Sequence, residues 1–205
     1  MSASRCEYWW DDTVKYGLSV HTAPTAEPIT VAEAKAQAKV DISDEDVWFS
    51  KAIPAARMLA EVFTKRTFVT TSWRLTLDQF PSWEFYLPRP RLVSVTSIKY
   101  LDSSGVQQTM SPSGYTVDIY TEPGRITPAY GGSWPSGIVH TNAVEVIYDA
   151  GYGAPSAVPA SVKHALLLTV AHWYENREAA SEESFTELPM AAKSLLRSES
   201  WGFLP

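Results

Sequence analysis

Leu59-Ala-Glu-Val-Phe-Thr-Lys-Arg-Thr-Phe-Val-Thr-Thr-Ser-Trp-Arg-Leu-Thr-Leu-Asp78 is the stretch in which the chain changes its period. Leading into it, Val47, Trp48, Ala52, Ala55, Leu59, Val62 and Phe63 recur at three- and four-residue spacing, which predicts a helix from about 44 to 65 with one apolar stripe. At its far end, Trp73, Leu75 and Leu77 alternate with Arg74, Thr76 and Asp78, the period of a strand with one buried face. The alternation returns at Val144, Val146 and Tyr148 against Glu145 and Asp149. Between the two lie turn sequences: Asp102-Ser-Ser-Gly105, Ser111-Pro-Ser-Gly114 and Glu122-Pro-Gly124, the last in the order a type II turn requires. About six strands in an antiparallel, meander-like unit over about 68–150 are expected.

Helical signals flank this β unit on both sides. Thr30-Val-Ala-Glu33 has the spacing of a capping box, which predicts a short helix to about Val40. Asp41-Ile-Ser-Asp44 offers a second N-cap for the long helix, and Pro54 inside that helix removes one backbone bond and predicts a kink or a break. Downstream, Gly151-Tyr-Gly153 and Pro155 turn the chain, and Pro159 suits the first turn of a helix reaching about Asn176. Its centre, Ala165-Leu-Leu-Leu-Thr-Val-Ala171, is apolar around most of its circumference. If Val162, Leu166, Thr169, Val170 and Trp173 face the core, then Leu167 and Tyr174 face the β unit or another chain. A polar loop over 178–187 leads to a short helix at 189–197 and a tail at 198–205. The fold class is therefore α+β: helices near 30–40, 44–65, 159–176 and 189–197 form a core of residues 29–67 and 153–197, with a β unit at 68–152 inserted. Residues 1–28 have no clear period and read as an extended arm.

Composition narrows function more than it points to one. The 205 residues are 45% hydrophobic, enough for a real core. The formal charge of -6 is the wrong sign for affinity gained by releasing counterions from phosphates, so tight nucleic-acid binding is disfavoured, although such a surface would let a duplex slide past. One cysteine, Cys6, makes neither an internal disulfide nor a structural zinc site. No apolar run has the length of a signal peptide or a membrane span, which predicts a soluble protein held in the cytoplasm until it joins an assembly.

No constellation for catalysis or for a cofactor emerges. His164 and His172 are eight apart with no Glu between them at metal-binding spacing, and His21 and His140 stand alone. Gly151-Tyr-Gly153 lacks a third glycine and any following Gly-Lys-Ser/Thr, so a chain-reversing turn explains it. The pairs Asp11/Asp12 and Glu182/Glu183 sit in polar surroundings that would not shift a carboxyl pKa. The 8 tryptophans invite a sugar-binding reading with Trp73 and Trp83 as stacking platforms, but both placements also suit side chains that cover a sheet. The stronger signal is apolar residues at the chain ends: Tyr8, Trp9 and Trp10 in the arm, and Trp201, Phe203 and Leu204 in the tail, all of which call for burial on a neighbour.

The order of several short stretches is familiar. Ile29-Thr-Val-Ala-Glu-Ala-Lys35, Val40-Asp41, Asp44-Glu-Asp46 and Phe63-Thr-Lys-Arg-Thr67 come first. They are followed by Trp73-Arg-Leu-Thr-Leu-Asp-Gln-Phe-Pro81, Leu87-Pro-Arg-Pro90, Val95-Thr-Ser-Ile-Lys-Tyr100 and Pro123-Gly-Arg-Ile126, then by Gly151-Tyr-Gly153 and Ala171-His-Trp-Tyr-Glu-Asn-Arg-Glu178. Together, from about 28 to 197, they resemble the head-tail connector (adaptor, head-completion) proteins of tailed bacteriophages. The resemblance implies a non-enzymatic virion protein of the neck. Its copies would form a ring, usually of twelve, seated on the portal protein and offering its other face to the stopper or tail-completion protein, with DNA passing through the lumen without sequence-specific contacts. It also implies that the C-terminal segment engages the portal, here Leu188, Pro189, Leu195 and Leu196 with Trp201, Phe203 and Leu204. A closed ring needs two different sticky faces on each subunit, for which Trp48, Leu167 and Tyr174 are the candidates. No cofactor, metal or membrane contact is implied. The reading from another class is a virion carbohydrate-binding accessory protein built on the β unit.

Overall fold

A computed structural model describes residues 15–135, 139–176 and 188–201. Among these, four helices and two antiparallel sheets of eight strands make the chain α+β. It divides into two compact units, one of described residues 15–24 and 70–151, the other of 25–69, 152–176 and 188–201.

The second unit is helical. Helix α1, Val31–Ala38, starts at the predicted capping box: Thr30 Oγ1 accepts from Glu33 N–H, and the Glu33 carboxylate accepts from Thr30 N–H at 2.7 Å. Hydrogen bonds to the carboxylate from the Thr30 N–H and, at 2.8 Å, from the Thr30 hydroxyl hold the Glu33 carboxyl below its ordinary pKa. Helix α2, Asp46–Thr64, begins without the expected side-chain cap. A single 3-10 turn at Ser43–Glu45 leads into it, its own backbone bonds occupying the first amides, and Asp46 pairs with Lys35 of α1. The expected break at Pro54 does not occur; α2 runs through it unbroken. Ser50, whose carbonyl loses its partner at Pro54, is exposed and can be satisfied by water.

The stripe that α2 buries is only partly the one its apolar residues suggest: Ala52 is buried, and Trp48, Leu59 and Phe63 are half-buried against the core. Val47, Ala55 and Val62 point outward, while Phe49, Ala52, Ile53, Ala56, Arg57, Ala60, Glu61 and Thr64 face the core. Two charged residues sit on the inward side because they are paired there. Arg57 Nη1 donates to Glu61 Oε2 at 2.9 Å, Arg57 Nε donates to Glu27 at 2.7 Å, and Glu61 Oε1 accepts from the backbone N–H of Phe68 at 2.9 Å. Against this face packs α3, Ala160–Glu175, which buries Val162, Leu166, Thr169, Val170 and Trp173 as predicted, together with Ala165 and Ala171. Helix α4, Met190–Arg197, completes the unit through Leu188, Ala192 and Leu196.

The first unit is the β unit, but it is not a meander. Strands β1 (Tyr16–Thr22), β2 (Thr71–Leu77), β3 (Phe85–Tyr86), β4 (Leu92–Leu101), β5 (Gln107–Thr109), β6 (Tyr115–Asp118), β7 (Arg125–Pro128) and β8 (Val144–Ala150) form two sheets. The larger has the order β1-β2-β8-β4-β5 and the smaller β3-β7-β6. The last strand enters the middle because it is the most apolar: Val144, Val146, Tyr148 and Ala150 are buried on one face and Ile147 on the other. Tyr148, whose hydroxyl donates to Pro88 O at 2.7 Å, is held above its usual pKa by that burial. Part of the stretch that reads as an arm is strand β1, an edge strand that turns only Leu18 toward the core. That single inward residue is too weak a pattern to read from sequence.

The turn at Glu122-Pro-Gly124 also departs from the type II geometry its residues suggest. Gly124 is not among the glycines with positive φ, and the Glu122–Pro123 bond is cis, so the turn is not type II. Glycine is required there by packing, since a Cβ on Gly124 would overlap Leu92 Cβ at 2.6 Å, while the Gly124 carbonyl accepts from Leu87 N–H. At Asp102-Ser-Ser-Gly105 the turn is as read: Gly105 has φ 76, and the Asp102 carboxylate accepts from Ser104 and Val106 N–H.

Replacing Glu61 with Ala is expected to lower the unfolding free energy by about 3–5 kcal/mol, the cost of leaving a buried partner charge uncompensated, here together with the orphaned Phe68 N–H. The combined replacement Arg57→Met with Glu61→Leu should cost less than Glu61→Ala alone. Denaturant titration of the three proteins checks both statements, and a double variant no more stable than Glu61→Ala would contradict them. Gly124→Ala is expected to destabilise the β unit by about 1–3 kcal/mol through overpacking against Leu92, read as a lowered Tm.

Candidate functional site

Three surfaces carry the residues that the sequence singles out. The first lies where α2 begins and α3 ends. Phe49 is buried and stacks on the Tyr174 ring at 5.1 Å, and Trp48 sits edge-on to Phe49 at 5.0 Å and to Tyr174 at 5.3 Å. Two of the proposed interface residues, Trp48 and Tyr174, are thus brought together. Leu167 lies two turns upstream on the Tyr174 side of α3. All three are half-buried against the helical core, so each presents only an edge outward. Aromatic groups held by one another in this way lose little side-chain entropy on meeting a partner.

The second surface is α4 and the segment after it. Leu188 and Leu196 are buried in the helical core, and Pro189 and Leu195 are half-buried. Of this segment, Met190 is fully exposed and Leu195 half-exposed, while Leu188 and Leu196 face inward. Met190 was missed because a lone methionine beside a proline carries no periodic signal. Beyond α4 the chain is fastened to the rest of the unit. The Glu199 carboxylate accepts from Tyr152 Oη at 2.9 Å and from Ser161 Oγ at 3.1 Å, Arg66 Nε donates to the Glu199 carbonyl, and Trp201 N–H donates to Thr64 O at 2.9 Å. The tail accordingly departs from a defined place beside the end of α2. Phe203 and Leu204, like Tyr8, Trp9 and Trp10, lie outside the described residues.

The third surface is the aromatic set of the β unit. Trp73 is covered on one ring face by the Arg89 guanidinium, 5.4 Å from the ring centroid, so that face is not an open platform for a sugar. Trp83 is 57% exposed, and its carbonyl accepts from Nε1 of the buried Trp134, which stacks on Phe80 at 4.9 Å. Tyr120 and Tyr130 stand out fully from loops at opposite ends of the β6–β7 hairpin. The titratable residues do not gather. His21 bonds Arg74 and His172 bonds Asn176, and no group of three or more His, Cys, Asp or Glu among the described residues could hold a metal ion. No helix among them is long and apolar enough to cross a membrane.

A helical unit fed by the chain at 25–69 and 152–201, with a two-sheet antiparallel β unit between those segments, defines the class of fold. The chain shares it with proteins from the neck of a phage-like particle. It is similar to a chain in the neck of an empty GTA particle computed with C6 symmetry, with TM-score 0.71, 23% identity, and coverage of 90% of this chain and 95% of that one. A chain in the virion of the native gene transfer agent (GTA) particle matches at TM-score 0.71 and 23% identity over 89% and 94% of the two chains. One in the neck of the native GTA particle computed with C12 symmetry matches at 0.68 and 24% over 90% and 94%. At these identities the likeness is one of fold. No family model matches the sequence, and no curated protein matches it.

Glu199→Ala removes the acceptor for Tyr152 and Ser161 while leaving the Trp201 backbone bond. Hydrogen bonds to a charged group contribute about 1.5–3 kcal/mol each, so limited proteolysis should cut the segment after α4 at least about tenfold faster in the variant. Unchanged cleavage would mean that Glu199 does not hold the tail.

Proposed function

We propose that this protein is a structural subunit of the neck of a tailed phage or phage-like particle, a head-tail connector whose copies form a ring on the portal. The observation that carries the reading is the fold itself, shared over 90% of this chain and 95% of its counterpart with a protein of a particle neck. Two of the neck structures were computed with C6 and C12 symmetry, which supports a multi-copy ring and a count of twelve. The described residues add to it: their His, Cys, Asp and Glu side chains form no metal-holding group, whereas apolar and aromatic edges lie on helices packed into a common core.

In this reading each subunit contacts its neighbours head to tail, with Trp48, Tyr174 and Leu167 on one of the two faces. The portal is met by the C-terminal segment, through Met190, Pro189, Leu195, Trp201, Phe203 and Leu204, with Leu188 and Leu196 supporting α4 from inside. The opposite end of the ring takes the stopper or tail-completion protein, and DNA passes through a lumen whose wall does not bind its sequence. The net charge of -6 suits a wall that releases the duplex. Tyr8, Trp9 and Trp10 dock the N-terminal arm on an adjacent subunit.

Native mass spectrometry of the protein mixed with the portal ring of the same genome tests the reading. About twelve copies per portal ring are expected, and truncation after Ser198 should abolish the addition. A portal ring that binds no copies at any salt concentration would refute it.

A further inference from the structure

Helix α2 has a second apolar face that stands exposed among the described residues. Opposite the buried stripe stand Val47, 64% exposed, Met58, 60%, and Val62, 62%, with Lys51, Pro54 and Ala55 among them at helical spacing. All six fall within one sector about 100° wide, the width of a helix-packing face. Scattered exposed apolar residues need no explanation, but three large ones aligned over four turns on a rigid helix do.

The order of residues along this face limits what can cover it. Reversed about the Pro54–Ala55 bond it meets itself in complementary pairs: Val47 falls opposite Val62, Lys51 opposite Met58, and beyond them the exposed acid Asp44 falls opposite the cationic Lys65 at the C-cap. Two copies of α2 laid antiparallel on these faces would set each valine on the other copy's valine, and the methionine of each under the aliphatic stem of the partner's Lys51. Asp44 of each would face Lys65 of the other. Antiparallel alignment also brings the positive end of one helix dipole to the negative end of the other. A parallel pair would instead place Asp44 on Asp44 and Lys51 on Lys51.

From this self-complementary pattern we infer that the outer face of α2 docks on a second copy of the same chain as an antiparallel, two-fold pair. The contact is isologous, so it closes on itself as a dimer and cannot build a ring. It therefore stands apart from the head-to-tail faces above and describes the subunit before assembly. One helix face on each side is below the roughly 1,200 Å² of a stable interface, which makes the pair weak, with dissociation on the order of tens of micromolar. A pair of that strength covers the stripe in the free protein and gives way when a larger assembly competes.

Sedimentation velocity of the full chain alone, from about 5 to 200 µM, is the test. A reversible monomer–dimer equilibrium is expected, with Met58→Glu weakening it at least tenfold. Asp44→Lys should weaken it several-fold, and Lys65→Asp in the same chain should restore it. In a Cys6→Ser background, Ala55→Cys should be linked to its partner by a short thiol cross-linker, whereas Ala191→Cys on the outer side of α4 should not. The cross-linking arm stands even if Met58→Glu fails to fold. A protein monomeric at 200 µM overturns the inference, as does a ring that forms with no preceding dimer, a dimer indifferent to Met58→Glu, or linkage at Ala191 as efficient as at Ala55. None of these outcomes bears on addition to the portal, which is measured with the portal present.

Discussion

The guanidinium of Arg57, on the inward side of α2, is the charge around which the helical unit is organised. It donates to Glu27 before α1 and to Glu61 one turn further along α2, and Glu61 in turn accepts the N–H of Phe68, the first core residue after the helix. One ionic group thus ties together the incoming chain, the longest helix and the chain leaving for the β strands. Phe68 then passes the constraint on, since its carbonyl accepts from Tyr152 N–H where the chain returns. A well-packed apolar replacement could be as stable as such a group, but it would not specify these four segments to one another; removing a single member leaves a buried charge or amide without its partner.

This explains how a long β segment can interrupt a small helical unit without loosening it. Two of the three crossings between the units, those at 69–70 and 151–152, leave from residues pinned to the helical side. Tyr152 is held twice, by its N–H to Phe68 and by its hydroxyl to Glu199, so the return crossing and the C-terminal segment share an anchor. Gly151 and Gly153, both at positive φ, supply the backbone freedom that the sharp turn there needs. Helix α3 starts eight residues after this anchor and packs against each of the other three helices, which places α1 and α4 on its flanks.

The same ion group shows why part of the fold was hidden in the sequence. A helix was legible from Asp44 onward, but the apolar pattern selected Val47, Ala55 and Val62, which are exposed, because the true inward stripe contains Arg57 and Glu61. Periodicity counts residue types and cannot see that two charges neutralise each other. The capping box at Thr30 and the Asx-type turn at Asp102 were legible because their bonds span only a few residues. The central position of β8, the pairing of β1, and the packing role of Gly124 depend on partners tens of residues away. Among the candidate surface residues, Trp48 and Tyr174 were found together. Leu188 and Leu196 were read as available because apolar residues near a chain end look unpartnered until the core that receives them is known.

What the helical unit leaves outside, among the described residues, is a modest amount of apolar surface divided among separate elements, including the outer stripe of α2, Met190 on α4 and the ring edges of Trp48 and Tyr174. No one of these is large enough to hold two proteins together tightly at low concentration. In the proposed ring that is an advantage. Each subunit touches two neighbours and the portal at once, so its weak contacts act as intramolecular ones after the first is made, and their effects multiply. A free subunit has no such help and stays apart from rings it should not join. Sparse apolar edges on stiff helices therefore suit a protein that must be inert alone and firmly held in an assembly, and this is the physical sense in which the fold fits a neck.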